Sequence, residues 1–241
     1  MGERMKPYKG LKKFKVLVGT PHADIKNYCL EQYISVVKTL TYKNYDVLVV
    51  DNSATNDNQK MIRKLGIPAL HIKRGNKSTR QLMAESSETL RKAALDGGYD
   101  FLLHLEDDIT PPINVIEQLL SHQKAVVSGC YHIGIGGDSH LMVQDIESHK
   151  TGIRETINLT GGTDRKYFDG KLHEVYACGL GVTLIHKSVL SQIQFRYEEG
   201  VDAHPDTFFA HDLQILGIKQ YLDTSIICQH DNRSWHEIEN K

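Results

Sequence analysis

Residues 14–128 alternate short apolar runs with segments of helical spacing, and that rhythm leaves the chain few architectures. Phe14–Gly19, Asp46–Val50, Ala69–Ile72, Phe101–Leu105 and Ala125–Ser128 read as strands. Between them, Asn27–Leu40, Gln59–Leu65, Ser78–Leu95 and Ile113–Ser121 read as helices. In the first of these helices Leu30, Ile34, Val37 and Leu40 recur on one face. Strands and helices that alternate in this way build a mostly parallel sheet covered by helices on both faces. Right-handed crossovers then bring the carboxyl ends of the strands to one edge.

Three polar strand ends fall on that edge: Thr20-Pro21, Asp51-Asn52 and Glu106-Asp107-Asp108. The last is the most telling. An apolar run, Phe101-Leu102-Leu103-His104-Leu105, leads straight into three acidic residues, and Thr110-Pro111-Pro112 then stops any strand. Ligands of open α/β sheets bind outside the carboxyl ends of the strands. Crowded carboxylates repel one another, and a divalent cation with a ligand phosphate neutralises them. Taken alone, the cluster also fits a solvated acidic turn. The convergence of three polar ends favours a ligand site.

Residues 129–172 break the rhythm. Gly134, Gly136, Gly137, Gly152, Gly161 and Gly162 interrupt any regular pattern, so the stretch is either a functional loop region or a loosely packed insertion. A substrate-facing excursion is the favoured reading. Strand signals return at Glu174–Cys178 and Val182–His186, and a helix starts near His186. A further helix runs from about Pro205 to Leu216, and Ser225–Cys228 reads as the last strand. The expected organisation is one domain over residues 1–241. Residues 14–128 form its first half, 129–172 an irregular insertion and 173–241 its second half.

Composition excludes several classes. Charged residues nearly balance, 29 basic against 30 acidic, so there is no strong nucleic-acid signature. No apolar run is long enough to span a membrane, and the N-terminus lacks the apolar core of a signal peptide. The four cysteines are scattered without a C-x-x-C pair. Together these point to a reducing, cytoplasmic setting.

The ordered set of motifs resembles nucleotide-sugar glycosyltransferases of the Rossmann-like GT-A fold, family 2 in particular. The resemblance covers roughly residues 14–128 and 174–231. The first strand, ending in Thr20-Pro21, is similar to that family's opening strand. Val49-Val50-Asp51-Asn52-Ser53 is similar to its second strand end, where an acid recognises the uracil or ribose side of the donor. Glu106-Asp107-Asp108 resembles its D-x-D element with Glu in the first position, and Arg80 resembles an arginine that holds the donor's nucleotide or phosphates. Ala177-Cys178-Gly179-Leu180-Gly181 resembles its acceptor-side glycine segment. Asp206-Thr207-Phe208-Phe209 resembles its catalytic-base helix, although Pro205 stands where an acid precedes the base. His230 fits a late metal-ligand histidine.

The resemblance implies a metal-dependent transfer of sugar from a UDP-sugar to an acceptor hydroxyl. Asp108 is the leading metal ligand, with His230 as its partner, and Asp107 binds either metal or ribose. Hard oxygens with one imidazole suit Mn²⁺ or Mg²⁺. Asp206 is the general base, and direct in-line attack inverts the anomeric carbon. As a helix-start carboxylate it also has a purely structural reading, and Asp212 is a rival base. Gly179 and Gly181 either let the backbone approach a sugar closely or mark a strand bulge. His132, His140, His149 and His173 lack metal-site spacing and receive no role, and Trp235 either stacks on an acceptor sugar or pins the C-terminus. Nothing in residues 129–172 names the acceptor. Two further readings are a sugar-phosphate nucleotidyltransferase and a non-catalytic nucleotide or sugar-binding module. The first wants a glycine-rich basic loop after the first strand, where this chain has Thr20-Pro21-His22-Ala23-Asp24.

Overall fold

A computed structural model of the chain describes residues 14–135, 138–144, 156–158, 167–201 and 203–231. His149, Gly152, Gly161, Gly162 and Trp235 lie outside them. The expected strands and helices of the first half are present: β1 (Val16–His22), α1 (Leu30–Thr39), β2 (Tyr45–Asp51), α2 (Asp57–Lys64), β3 (Ala69–His71), α3 (Thr79–Asp96), β4 (Phe101–Leu105), β5 (Ile109–Thr110), α4 (Val115–Ser121) and β6 (Val126–Cys130). The second half adds β7 (His132–Ile135), β8 (Asp138–Gln144), β9 (Thr156–Asn158), β10 (Leu172–Val175), β11 (Ala177–Cys178), β12 (Val182–His186), α5 (Lys187–Leu190), α6 (Pro205–Ile215), β13 (Gln220–Ile227) and β14 (Gln229–His230).

The main sheet has eight strands in the order β10-β13-β6-β12-β4-β1-β2-β3. Its strands are mostly co-directional: β3, β2, β1 and β4 pair in parallel, as do β13 and β6. β10 and β12 run the other way. Period-two alternation assigns side chains to two faces. Val16, Val18, Phe101, Leu103 and Leu105 face α1, α2 and α4, whereas Leu17, Val50 and Leu102 face α3, α5 and α6. The helix ends follow local rules. Ser78 caps α3 by accepting from the Gln81 N–H at 3.2 Å, Pro205 occupies the first turn of α6, and Gly217 closes α6 at φ +65°.

Four expectations are corrected. β1 runs on through Thr20 and Pro21 to His22, because Pro21 pairs with Val50 and His22 with Asp51 in register. The stretch after residue 129 is not patternless: β7, β8, β9 and β11 form a small antiparallel sheet. In β8, Leu141 and Val143 are buried and Met142 and Gln144 are not, an alternation that the surrounding glycines obscured. The strand expected at Glu174–Cys178 divides at Tyr176, β10 joining the main sheet and β11 the small one. The last strand starts at Gln220 rather than Ser225, because Gln220, Asp223 and Thr224 are polar yet buried. Among the described residues no helix is long and apolar enough to cross a membrane.

His104 sits in the middle of this frame on β4. Its Nδ1 donates to the Leu180 carbonyl at 2.9 Å, and its Nε2 accepts from the Ser87 hydroxyl at 3.1 Å. Burial pushes its pKa down to about 4. A depressed histidine stabilises the fold in its neutral form, so this contribution is complete above about 6.5 and is lost as pH falls toward 4. The difference in unfolding free energy between the wild type and His104→Gln should therefore shrink by about 2 kcal/mol between pH 7 and pH 5. Urea denaturation at the two values reads it, and a difference independent of pH contradicts a buried neutral His104.

Candidate functional site

The carboxyl ends of β1, β2 and β4 open on a cavity of about 260 Å³. Glu106, Asp107 and Asp108 line it directly after β4. Glu106 is tied back by its N–H to the Gly181 carbonyl at 2.9 Å, and Ile109 N–H turns onto the Glu106 carbonyl at 3.1 Å. That turn launches β5, which pairs antiparallel with β14, His230 lying opposite Ile109. Asp231 N–H adds a bond to the Asp108 carbonyl at 2.9 Å. Backbone pairing thus brings the end of the described chain against the acidic cluster.

The three carboxylates differ in their surroundings. The Asp108 side chain is 4% exposed, and its Oδ2 takes both the Lys26 ammonium and, at 3.4 Å, His230 Nε2. Burial alone would raise its pKa, but His230 and Lys26 outweigh burial and hold it below the ordinary value. Asp107 is raised by burial, which its 2.7 Å bond to His22 Nδ1 only partly offsets. Glu106 is pushed up to about 8 by burial and by the neighbouring Asp108 charge. At neutral pH Asp108 therefore carries the cluster's most secure negative charge, and Glu106 is largely protonated.

The start of α6 lines the same cavity. Asp206 lines the same cavity beside His204 and Pro205, and its Oδ1 accepts from the Thr207 N–H at 2.8 Å. Burial raises its pKa against the lowering effect of His204 and that N–H. Ile25, Leu82, Met83 and Leu180 supply an apolar wall, and Lys26 and Arg74 bring cationic side chains to the same space. The arrangement joins a carboxylate anchor, cations suited to an anion and a second carboxylate with a raised pKa.

Of the residues singled out by sequence, Pro21, Asn52, Asp107, Asp108 and Asp206 line this cavity together. The others lie around it. Thr20 is buried and bonded to the Tyr33 hydroxyl. Asp51 is fully buried, with His71 Nδ1 at 3.0 Å from Oδ2 and the Ser53 N–H at 3.1 Å from Oδ1. Arg80, on α3, reaches His204 Nε2 at 3.5 Å. Asp212 pairs with Arg196. Gly179 and Gly181 border Tyr131: a Cβ on Gly179 would lie 2.1 Å from its hydroxyl oxygen, and one on Gly181 would lie 2.7 Å from its ring. Tyr131 in turn accepts from the Gly181 N–H at 3.2 Å.

His22, Lys26, Arg74, His204 and Tyr131 were not singled out. His22 ends the first strand, Lys26 follows it and Arg74 follows the third, so the same strand-end argument would have reached them. Tyr131 carried no such signal, because its partners lie fifty residues away.

The residues present fit a divalent cation. His230 Nδ1 donates to the His132 carbonyl at 2.7 Å, which orients the ring with Nε2 facing Asp108 Oδ2 at 3.4 Å, where displacement of the Nε2 proton by a cation would make that nitrogen a ligand. Asp108 Oδ1 is buried and has no hydrogen-bond partner among the described residues. No cluster of three or more His, Cys, Asp or Glu side chains is grouped for a metal among the described residues. One carboxylate and one imidazole leave the remaining positions to water and ligand phosphate, the usual pattern for Mg²⁺ and its relatives.

No protein-family model matches the chain, and no curated protein matches it in sequence. Among solved structures it is similar to GalNAc-T7, crystallised with UDP, GalNAc and Mn²⁺, with a TM-score of 0.63 and 12% identity over 90% of this chain. The alignment spans 44% of the GalNAc-T7 chain, so this protein corresponds to less than half of it. A197 from STIV aligns over 90% of this chain and 85% of its own, with 17% identity and a TM-score of 0.48. The likeness to GalNAc-T7 is one of fold: a mixed α/β architecture with a mostly parallel central sheet flanked by helices, as in a GT-A glycosyltransferase.

Proposed function

We propose that this protein is a metal-dependent glycosyltransferase that moves a sugar from a UDP-sugar to an acceptor hydroxyl, with inversion. The observation that carries the reading is that two unlike carboxylates line one cavity. Asp108 is buried with one oxygen unpartnered among the described residues and His230 facing the other, and Asp206 lines the same cavity with a raised pKa. The GT-A-like fold supports it, and the UDP and Mn²⁺ held by GalNAc-T7 suggest the donor and the metal.

In this reading Asp108 and His230 hold Mn²⁺ or Mg²⁺, and Asp107 contributes a metal or ribose contact under the orientation set by His22. When bound, the metal supplies Lewis-acid neutralisation of the departing diphosphate. Lys26 and Arg74 face the same space and add cationic contacts to phosphate oxygens. Pro21, Asn52 and the neighbouring Asp51 flank the donor's nucleoside side, and Arg80, through His204, supports the wall that carries Asp206. Asp206 accepts the proton of the acceptor hydroxyl as that oxygen attacks the anomeric carbon and the diphosphate leaves. The raised pKa makes Asp206, when ionised, a stronger base than an exposed aspartate. The acceptor is an unspecified glycan, small molecule or modified macromolecule. A nucleotidyltransferase is disfavoured because β1 stays paired to β2 through His22, with no glycine-rich loop beneath the phosphates.

A panel of UDP- and GDP-sugars with water as acceptor should show hydrolysis of a UDP-sugar that requires Mn²⁺ or Mg²⁺. Failure of every nucleotide sugar with either metal contradicts the reading. Asp206→Asn should lower turnover by about 10²- to 10⁴-fold and leave UDP binding unchanged. Equal turnover by the variant would remove Asp206 as the base, and nucleotide binding without turnover, unchanged in Asp206→Asn, would mark a binding module. As pH falls, wild-type turnover should decline with an apparent pKa above the ordinary aspartate value of 3.8, since Asp206 must be ionised to act.

A further inference from the structure

Lys26 belongs to a single 3-10 turn, Asp24–Lys26, between β1 and α1. The turn is pinned by Lys26 N–H on the Ala23 carbonyl at 2.8 Å and by Asp24 N–H on the Ser53 hydroxyl at 2.9 Å. These bonds fix the Lys26 backbone at the mouth of the cavity and send its long side chain inward. The side chain is 17% exposed, and its ammonium lies on Asp108 Oδ2, the oxygen that His230 Nε2 also approaches. Asp108 Oδ1 has no hydrogen-bond partner among the described residues. The carboxylate is thus neutralised from one side by a residue of the chain itself.

A lysine and a divalent cation cannot share this carboxylate without strong repulsion at such short range. Lysine is suited to yield: its charge is compact, its four-carbon stem is flexible, and it gains full hydration on leaving. We propose that Lys26 is a resident counter-cation that occupies Asp108 until a divalent cation displaces it, so that metal loading turns the ammonium toward phosphate oxygens in the same cavity. This inference rests on Asp108 being a metal ligand, as in the function proposed above. It makes metal and nucleotide binding mutually reinforcing. Metal alone must evict Lys26 without compensation, whereas with a diphosphate present the evicted ammonium finds a new partner.

The test is Mn²⁺ binding to the full chain without nucleotide, read by electron paramagnetic resonance of free Mn²⁺. Lys26→Met, which lacks the competing charge, should bind Mn²⁺ about 10-fold or more tightly than the wild type, within the range of a typical site-to-site coupling. Lys26→Arg, which keeps it, should resemble the wild type. UDP should tighten Mn²⁺ binding in the wild type and do so far less in Lys26→Met. A second readout needs no variant: reductive methylation of Lys26 in the wild type, followed by mass spectrometry, should accelerate several-fold when Mn²⁺ is added. Wild-type binding of Mn²⁺ with UDP, but no tightening in Lys26→Met or no change in Lys26 methylation, overturns the inference and leaves the proposed function standing. Absence of Mn²⁺ binding by either protein, with and without UDP, overturns both.

Discussion

A carboxylate held almost out of water at the end of a parallel strand is the constraint around which this molecule is organised. Asp108 cannot remain ionised there without positive partners, since the desolvation cost of a buried unpaired charge is several kcal/mol. The chain supplies partners from opposite ends of its length, Lys26 after the first strand and His230 at the last. Each arrives through backbone pairing. The β1–β2 register fixes where the turn bearing Lys26 begins, and the β5–β14 ladder sets His230 opposite Ile109. The acidic cluster therefore ties the two halves of the sheet together as well as furnishing the site.

The same economy governs the segment around Gly179 and Gly181. The stretch after β6 folds back as a small antiparallel sheet, and Tyr131 from its start packs against Gly179 and Gly181 from its end. Small residues at 179 and 181 let the tyrosine ring and hydroxyl lie against the backbone. Gly181 N–H is then bonded to that hydroxyl, and the Gly181 carbonyl accepts from Glu106 N–H. A single short segment thus links the inserted sheet to the acidic turn. Any shift in the insertion would be felt at Glu106, one residue from Asp107.

Much of this was legible in the sequence, and the parts that were not share a cause. Phe101–Leu105 followed by three acids identified a buried strand and its functional end, because apolar runs and strand-end carboxylates are local signals. The strand ends after Pro21 and Val50 were placed on the correct edge for the same reason. The antiparallel return of β12 was invisible, since nothing local in Val182–His186 distinguishes direction. β13 was cut short because Gln220 and Asp223 look like loop residues. Buried among β-strand neighbours, Gln220 Nε2 donates to Cys178 Sγ and Asp223 Oδ2 meets His122 Nε2, contacts that span 42 and 101 residues. Lys26 was not singled out, its partner Asp108 lying 82 residues away in the chain. Asp51 read as a ligand-facing acid, whereas its oxygens are held by His71 on the neighbouring β3 and by Ser53 just past β2.

The central claim is that Asp108 anchors a metal–diphosphate complex in this cavity. Calorimetry of UDP binding, with and without Mn²⁺, compares the wild type and Asp108→Asn most directly. The account predicts Mn²⁺-dependent UDP binding by the wild type and its loss in Asp108→Asn, in protein that retains its fold by circular dichroism. UDP that fails to bind the wild type with Mn²⁺ present, or that binds Asp108→Asn equally well, would contradict it.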